Sequence, residues 1–196
     1  MTLNTPSSSR KLRLTRRLRT GYWIGAGLVL LTPLVAMQFD TGVDWGPADF
    51  VLFAFMLAGA GGLLELAVRL SDDLAYLAGA SMAIGTGFLL IWANLAVGLM
   101  GSEDNPLNLL YIGVLATGFL GAIFARFTAR GLMRTLFAMT AVVVLIAAAA
   151  LYIEWGRPGS EPVEIIAVNA VLATLFTGAG GMFRMASVES TCPECP

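Results

Sequence analysis

The chain alternates long apolar stretches with short polar breaks. A bilayer hydrocarbon core about 30 Å thick is crossed by roughly 20 residues of α-helix, so a stretch of that length can span it. Six stretches qualify, at residues 22–39, 48–68, 74–100, 108–126, 134–153 and 163–183. The pattern predicts an all-α membrane bundle of six transmembrane helices over residues 21–186, with tails at 1–20 and 187–196.

Two of these boundaries depend on more than the length of the apolar stretch. The break between the second and third stretches is only Arg69 to Asp73, and we expect Ser71 or Asp72 to cap the third helix. The first stretch follows six basic residues, as in a signal peptide, but no small-x-small cleavage site follows residues 35–38. We therefore predict an uncleaved first helix.

The basic residues predict the orientation. With the N-terminus inside, the inner loops and tails carry all but one of the 12 basic residues: Arg10, Lys11, Arg13, Arg16, Arg17, Arg19, Arg69, Arg126, Arg130, Arg134 and Arg184. Only Arg157 lies outside, so the positive-inside rule predicts that both termini are cytoplasmic. The outer face is acidic, with Asp40, Asp44, Asp49, Glu103, Asp104, Glu154, Glu161 and Glu164.

Composition agrees with a membrane protein and limits its chemistry. The chain is 57% hydrophobic and 13% charged, whereas about a quarter of residues are charged in soluble domains. It has no histidine, which removes the commonest general base and metal ligand. A net charge of −1 gives no reason to expect a nucleic-acid partner. We expect neither an enzyme nor a cofactor, and a lipid bilayer as the main environment.

The three helices predicted to run from outside to inside begin alike. Their starts are Pro47-Ala48-Asp49, Pro106-Leu107-Asn108 and Pro162-Val163-Glu164, and each helix ends near an arginine. One interpretation is three tandem two-helix hairpins around an axis along the membrane normal. The other is that helix starts favour proline and polar residues, while inner ends favour arginine.

Small residues recur within the predicted helices. Two runs with a spacing of four are Ala75, Gly79, Ala83 and Gly87, and Gly113, Thr117, Gly121 and Ala125. Because apolar burial does not drive association in lipid, small residues there permit close helix packing. We predict a packing role for these faces rather than a pore or a substrate groove.

The densest polar segment lies around the predicted outer end of the third helix. Asn94 lies about two turns inside this end, where an amide needs an interhelical partner, and Asn169 on the sixth helix is at similar depth. Glu103, Asp104, Asn105 and Asn108 supply oxygen atoms that suit a hard cation, without EF-hand spacing. The competing interpretation is a capped, solvated turn.

Two other features have both a structural and a functional interpretation. Glu65 lies four residues before Arg69 and can pair with it, or could act in a proton relay. Cys192 and Cys195 form a CxxC at the C-terminus. Two thiolates do not complete a four-ligand zinc site, so we expect a reduced tail, with a metal site shared between chains as the alternative.

The segment Trp92-x-Asn94-x-Ala96-Val97-Gly98-x-x-Gly101-Ser102-Glu103-Asp104-Asn105, continuing to Asn108, Leu109 and Tyr111, resembles a family of small six-helix proteobacterial inner-membrane proteins of uncharacterised role. The similarity extends over residues 21–186. It implies a bacterial inner-membrane location and brings no activity, cofactor or catalytic residue.

Two functional hypotheses remain. The first is a non-enzymatic membrane protein that acts by packing against itself or a membrane partner, with the acidic outer turns as its recognition surface. The second is a small transporter or channel that uses Asn94, Asn169 and the turn around Glu103. The second hypothesis predicts that these groups converge on a water-filled cavity.

Overall fold

The computed structural model describes residues 6–39, 44–100, 105–154 and 162–189, with side chains described within these ranges from residue 19 onward, except at 154 and 189. The described residues are helical almost throughout. The α-helices are α1 (Pro6–Ala36), α2 (Pro47–Leu70), α3 (Leu74–Ala96), α4 (Tyr111–Phe124), α5 (Ala129–Glu154) and α6 (Pro162–Glu189), and a 3₁₀ helix (Pro106–Leu110) precedes α4. The all-helical prediction is confirmed.

Five helical segments in the described part of the chain are long and apolar enough to span a membrane. They are Pro47–Leu70, Leu74–Ala96, Pro106–Phe124, Ala129–Ile153 and Pro162–Val188. α1 is not among them, because its first half is the basic segment and only its second half is apolar. The membrane character of the chain is thus supported, and a sixth crossing by α1 stays a prediction.

Helix boundaries follow local chemistry. Pro47, Pro106 and Pro162 are each the first residue of a helix, where the missing N–H costs no hydrogen bond. α3 ends at Ala96 and not near residue 100, because Gly98 has a φ of 70° and turns the chain. α1 begins at Pro6, so helix extends into the basic segment 1–20, since arginine and leucine are good helix formers.

The turn between α2 and α3 is capped by Asp73. Its Oδ1 accepts a hydrogen bond from the Ala75 N–H at 2.8 Å, and Ser71 Oγ accepts one from the Asp73 N–H at 3.1 Å. The prediction that Ser71 or Asp72 caps α3 is therefore wrong. The helix itself starts at Leu74, as predicted, and its cap is the residue directly before it, Asp73.

The chain divides into two compact units, Met1–Glu65 and Leu66–Pro196. In the first unit, α1 and α2 run antiparallel. Arg19 Nε lies 2.7 Å from Glu65 Oε2, and the Tyr22 hydroxyl donates to the Leu57 carbonyl at 2.8 Å. Gly61 permits this approach, because a Cβ there would lie 3.0 Å from the Trp23 ring.

In the second unit, α6 packs on α3 and on α5, and α5 also packs on α4. Glycines lie at these contacts. A Cβ at Gly79 would lie 3.2 Å from the Ala179 carbonyl oxygen, and one at Gly121 would lie 2.7 Å from Thr135 Oγ1. The predicted packing role is thus confirmed for these glycines, whereas a Cβ at Gly87 would have no described atom within 4 Å.

The turn between α4 and α5 is a Schellman motif without glycine. The Phe127 N–H donates to the Ala122 carbonyl and the Arg126 N–H to that of Ile123, with Arg126 in the left-handed region at a φ of 49°. The Tyr76 hydroxyl donates to the Phe127 carbonyl at 2.8 Å. This bond connects the first turn of α3 to the end of α4.

The tandem-hairpin arrangement is not confirmed. α5 and α6 form a packed hairpin, but α3 packs mainly on α6, and α4 mainly on α5. Large apolar side chains stay exposed on the outside of the helices, for example Phe119 at 69% and Leu145 at 68%. Such surfaces suit contact with lipid.

Candidate functional site

The second unit brings three of the predicted site residues together where α3 ends and the 3₁₀ helix begins. We call Asn94, Asn105 and Asn108 the asparagine clasp. After α3, Gly98 has a φ of 70°, and the next two residues, Leu99 and Met100, are hydrogen-bonded to Asn108 of the 3₁₀ helix. The clasp binds Leu99 and Met100 to the start of the 3₁₀ helix.

Asn108 is the centre of the clasp. Its Oδ1 accepts hydrogen bonds from the Leu99 N–H at 3.0 Å and from the Met100 N–H at 2.9 Å. The side chain is 5% exposed, and Leu99 and Met100 are also buried. Because α3 has ended, the N–H groups of Leu99 and Met100 have no helix carbonyl to donate to. The buried amide oxygen of Asn108 accepts both of them instead.

Asn105 holds the same segment from the other side. Its Oδ1 accepts from the Leu107 N–H at 3.0 Å and caps the 3₁₀ helix, while its Nδ2 donates to the Met100 carbonyl at 2.8 Å. Asn105 is therefore bonded to Met100, the last described residue before 101–104. Glu103 and Asp104 lie in that segment, outside the described residues, so their role as oxygen ligands stays a prediction.

Asn94 contributes less to the clasp. Its Nδ2 donates to the Asn108 carbonyl at 3.3 Å, and its buried Oδ1 has no hydrogen-bond partner among the described residues. The amide orientation follows from this contact, because exchanging oxygen and nitrogen would place two acceptors face to face.

Asn169 has a different partner from the one expected. Its Oδ1 accepts from the Tyr111 hydroxyl at 2.9 Å, and its Nδ2 donates to the Ile165 carbonyl at 2.9 Å. Asn169 is 3% exposed and Tyr111 is fully buried. The suggestion that Asn94 pairs with Asn169 is therefore wrong, because a phenol from the first turn of α4 binds the Asn169 oxygen instead.

Tyr111 is the residue that sequence reasoning missed at this end of the unit. A phenol within a predicted span needs a hydrogen-bond partner, just as an amide does, and that requirement was the available signal. The same argument applies to Tyr76, whose hydroxyl binds the Phe127 carbonyl at the opposite end of α3. Tyr76 thus connects α3 to the turn that follows α4, and Tyr111 connects α4 to α6.

The chemistry of the clasp is that of a structural hydrogen-bond network. The amide oxygen of Asn108 accepts two backbone N–H groups, which uses both of its lone pairs, and the amide oxygen of Asn105 accepts one. Within the described ranges, no three His, Cys, Asp or Glu side chains are grouped as a metal site would require. Cys192 and Cys195 lie outside those ranges, so their alternatives also stay open.

Glu65, considered above for pairing or proton transfer, binds Arg19. The two side chains lie in the first unit, with exposures of 20% for Glu65 and 52% for Arg19. Pairing of Glu65 with Arg69, four residues later on the same helix, stays a prediction, whereas the partner on the neighbouring helix was not predicted. The Glu65 carboxylate near the end of α2 thus forms an ion pair with Arg19 of the preceding helix, α1.

Comparisons with known proteins leave the family resemblance as a prediction. No protein-family model, curated protein or solved structure matches this chain. The function must therefore be argued from the geometry alone.

Proposed function

We propose that this chain is a non-enzymatic protein of the bacterial inner membrane that acts by packing against itself or another membrane protein. The proposal rests on one observation: the polar side-chain atoms of the asparagine clasp are hydrogen-bonded to the backbone. Asn105 and Asn108, which were candidates for ligand binding, hold the α3 end and the 3₁₀ helix together through their side-chain oxygens and nitrogens. Polar atoms engaged in this way stabilise a fold rather than bind a substrate.

The proposal includes α1 as a sixth crossing. α1 runs antiparallel to α2 from the Arg19–Glu65 ion pair onward. α1 continues from Arg19 to Ala36, which at 1.5 Å per residue is roughly 25 Å of helix, and with the turn at residues 37–39 the segment approaches the thickness of the hydrocarbon core. Arg19 then lies at the cytoplasmic interface, and both termini are cytoplasmic by the positive-inside rule.

The outer turns are the proposed recognition surface. Asp44 and Asp49 lie before and at the start of α2, and Asp49 Oδ2 accepts from the Gly46 N–H at 2.8 Å. Trp45 packs edge-on against Phe50 and Phe53, with ring centroids 5.4 and 5.3 Å away. A tryptophan in this position suits the membrane interface, which would hold the acidic turn at the aqueous boundary.

Site-specific photocrosslinking in intact cells tests the proposal. A photoreactive residue at Asp44 should give one discrete adduct, either a dimer of the chain or a complex with one other protein. The same residue at Val51, which is 71% exposed on α2, serves as the control and should give lipid adducts only. Absence of a discrete protein adduct at Asp44 and in the other acidic turns would contradict the proposal.

One observation favours the second hypothesis, a small transporter or channel. The buried Asn94 Oδ1 has no partner among the described residues, and such an oxygen can bind a water molecule or a polar solute. Proteoliposomes loaded with glycerol provide the test. Flux above that of empty liposomes, lost in Asn94→Leu, would favour transport over the packing role.

A further inference from the structure

The second unit has an open groove far from the asparagine clasp, at the end where α3 begins and α6 ends. Its volume is about 770 Å³, within the usual range for small-molecule sites. Its lining contains two carboxylates, Asp72 and Asp73, and otherwise only apolar residues: Leu74, Ala75, Ala78, Met182 and Met185. Neither the clasp nor the proposed recognition surface uses these residues.

The groove lies at the depth of the lipid headgroups. Ser71 to Asp73 form the short connection between two helices that are each long enough to span the membrane, so this turn is at the membrane surface. Ala78 is one turn deeper along α3, and Met182 is one turn before Met185 on α6. The groove therefore changes from carboxylate to hydrocarbon as it enters the bilayer.

This polarity gradient matches an amphiphile with a cationic head and an apolar tail. Leu74 is 80% exposed, Met185 61% and Met182 38%, so an apolar surface is open beside the two carboxylates. Methionine is flexible and adapts to chains of irregular shape. An acyl chain brings no unsatisfied hydrogen-bonding groups into the hydrocarbon region, whereas an extended peptide would.

We propose that this groove binds a phospholipid with a primary-amine headgroup, namely phosphatidylethanolamine. The ammonium group donates hydrogen bonds to the carboxylates of Asp72 and Asp73, and one acyl chain lies along Leu74, Ala78, Met182 and Met185. Because Asp73 Oδ1 also accepts from the Ala75 N–H, that carboxylate is held in place for the headgroup. Phosphatidylglycerol has a net negative charge and no ammonium group to pair with the carboxylates, and phosphatidylcholine lacks N–H donors.

Native mass spectrometry of the full chain in detergent, with equimolar phosphatidylethanolamine, phosphatidylcholine and phosphatidylglycerol of equal chain length, tests the proposal. Phosphatidylethanolamine adducts should exceed each of the others by about fivefold, as expected for interfacial ion pairs. Asp72→Asn with Asp73→Asn should abolish this preference. Asparagine at position 73 keeps the N-cap, so the start of α3 should remain intact.

Two further variants complete the test. Asp44→Asn with Asp49→Asn makes the same charge change at the opposite end of α2 and should retain the preference. Ala78→Phe should reduce phosphatidylethanolamine adducts by filling the apolar part of the groove. A preference for phosphatidylglycerol, equal binding of all three lipids, or a preference that survives in the Asp72/Asp73 variant would overturn the proposal.

Discussion

Arg19 Nε lies 2.7 Å from Glu65 Oε2, and this ion pair joins the beginning of the apolar part of α1 to the end of α2. Three residues further along α1, the Tyr22 hydroxyl binds the Leu57 carbonyl, about two turns back along α2. The two contacts together fix an antiparallel hairpin. If α2 crosses the membrane, α1 has the position and direction to cross it as well.

The Arg19–Glu65 pair should contribute measurably to stability. Glu65 is only 20% exposed, so the pair is screened less than a fully exposed one. In a double-mutant cycle of Arg19→Gln and Glu65→Gln, we expect a coupling of about 1 kcal/mol in the free energy of unfolding. Reversible unfolding in mixed micelles provides the measurement, and Arg184→Gln is the control for loss of a basic residue. Strictly additive effects would show that the pair contributes nothing.

The Tyr111–Asn169 hydrogen bond should contribute to the second unit. Tyr111→Phe leaves the Asn169 Oδ1 buried without its donor, and should cost about 1 kcal/mol of unfolding free energy. The double variant Tyr111→Phe with Asn169→Leu should cost less than the sum of the two single changes, because it removes both polar partners. Tyr152→Phe is the matched control, since Tyr152 is 88% exposed. A Tyr111→Phe protein as stable as this control would contradict the account.

Within the clasp, Asn108 should matter more than Asn94. Asn108→Ala leaves the buried Leu99 and Met100 N–H groups without their acceptor, and we expect a loss of about 2–4 kcal/mol. Asn94→Leu removes one hydrogen bond of 3.3 Å and an unpaired oxygen, and should change stability by less than about 1 kcal/mol. Chemical unfolding of the two variants side by side decides the point. Equal losses would show that the hydrogen-bond assignment is incorrect.

Glycine substitutions should separate contact faces from open ones. Gly79→Ala forces a methyl group to 3.2 Å from the Ala179 carbonyl oxygen and should cost about 1–3 kcal/mol. Gly85→Ala, with no described atom within 4 Å of its Cβ, should be neutral or stabilising by up to about 1 kcal/mol. Thermal unfolding in detergent would compare them. A Gly85→Ala protein less stable than Gly79→Ala would mean that α3 packs through its other face.

The helix starts could be predicted from the sequence because they depend on the residues of the first turn alone. Pro47, Pro106 and Pro162 each begin a helix as the sequence predicts, since proline fits the first turn wherever the rest of the chain lies. The cap at Asp73 was missed by one or two residues for the same local reason. Several polar side chains in a row can cap a helix, and only the geometry selects one.

The hydrogen-bond and ion-pair partners on other helices could not be predicted from the sequence, because they depend on which helices are neighbours. Asn94 was expected to need an interhelical partner, with Asn169 as the candidate, but nothing in the sequence indicated that Tyr111 would bind Asn169 instead. The Arg19–Glu65 pair was missed in the same way, because Arg69 lies nearer to Glu65 along the chain. Burial of a polar group predicts that a hydrogen bond exists, whereas packing determines its partner.

The central claim is that the chain crosses the membrane six times, with α1 as the sixth crossing. Reporters that are active in only one compartment, fused to the two ends of the chain in separate proteins, test it most directly. Cytoplasmic activity at both ends is the predicted result. If the two ends report opposite compartments, α1 does not cross, and the orientation proposed for the inner and outer turns is contradicted.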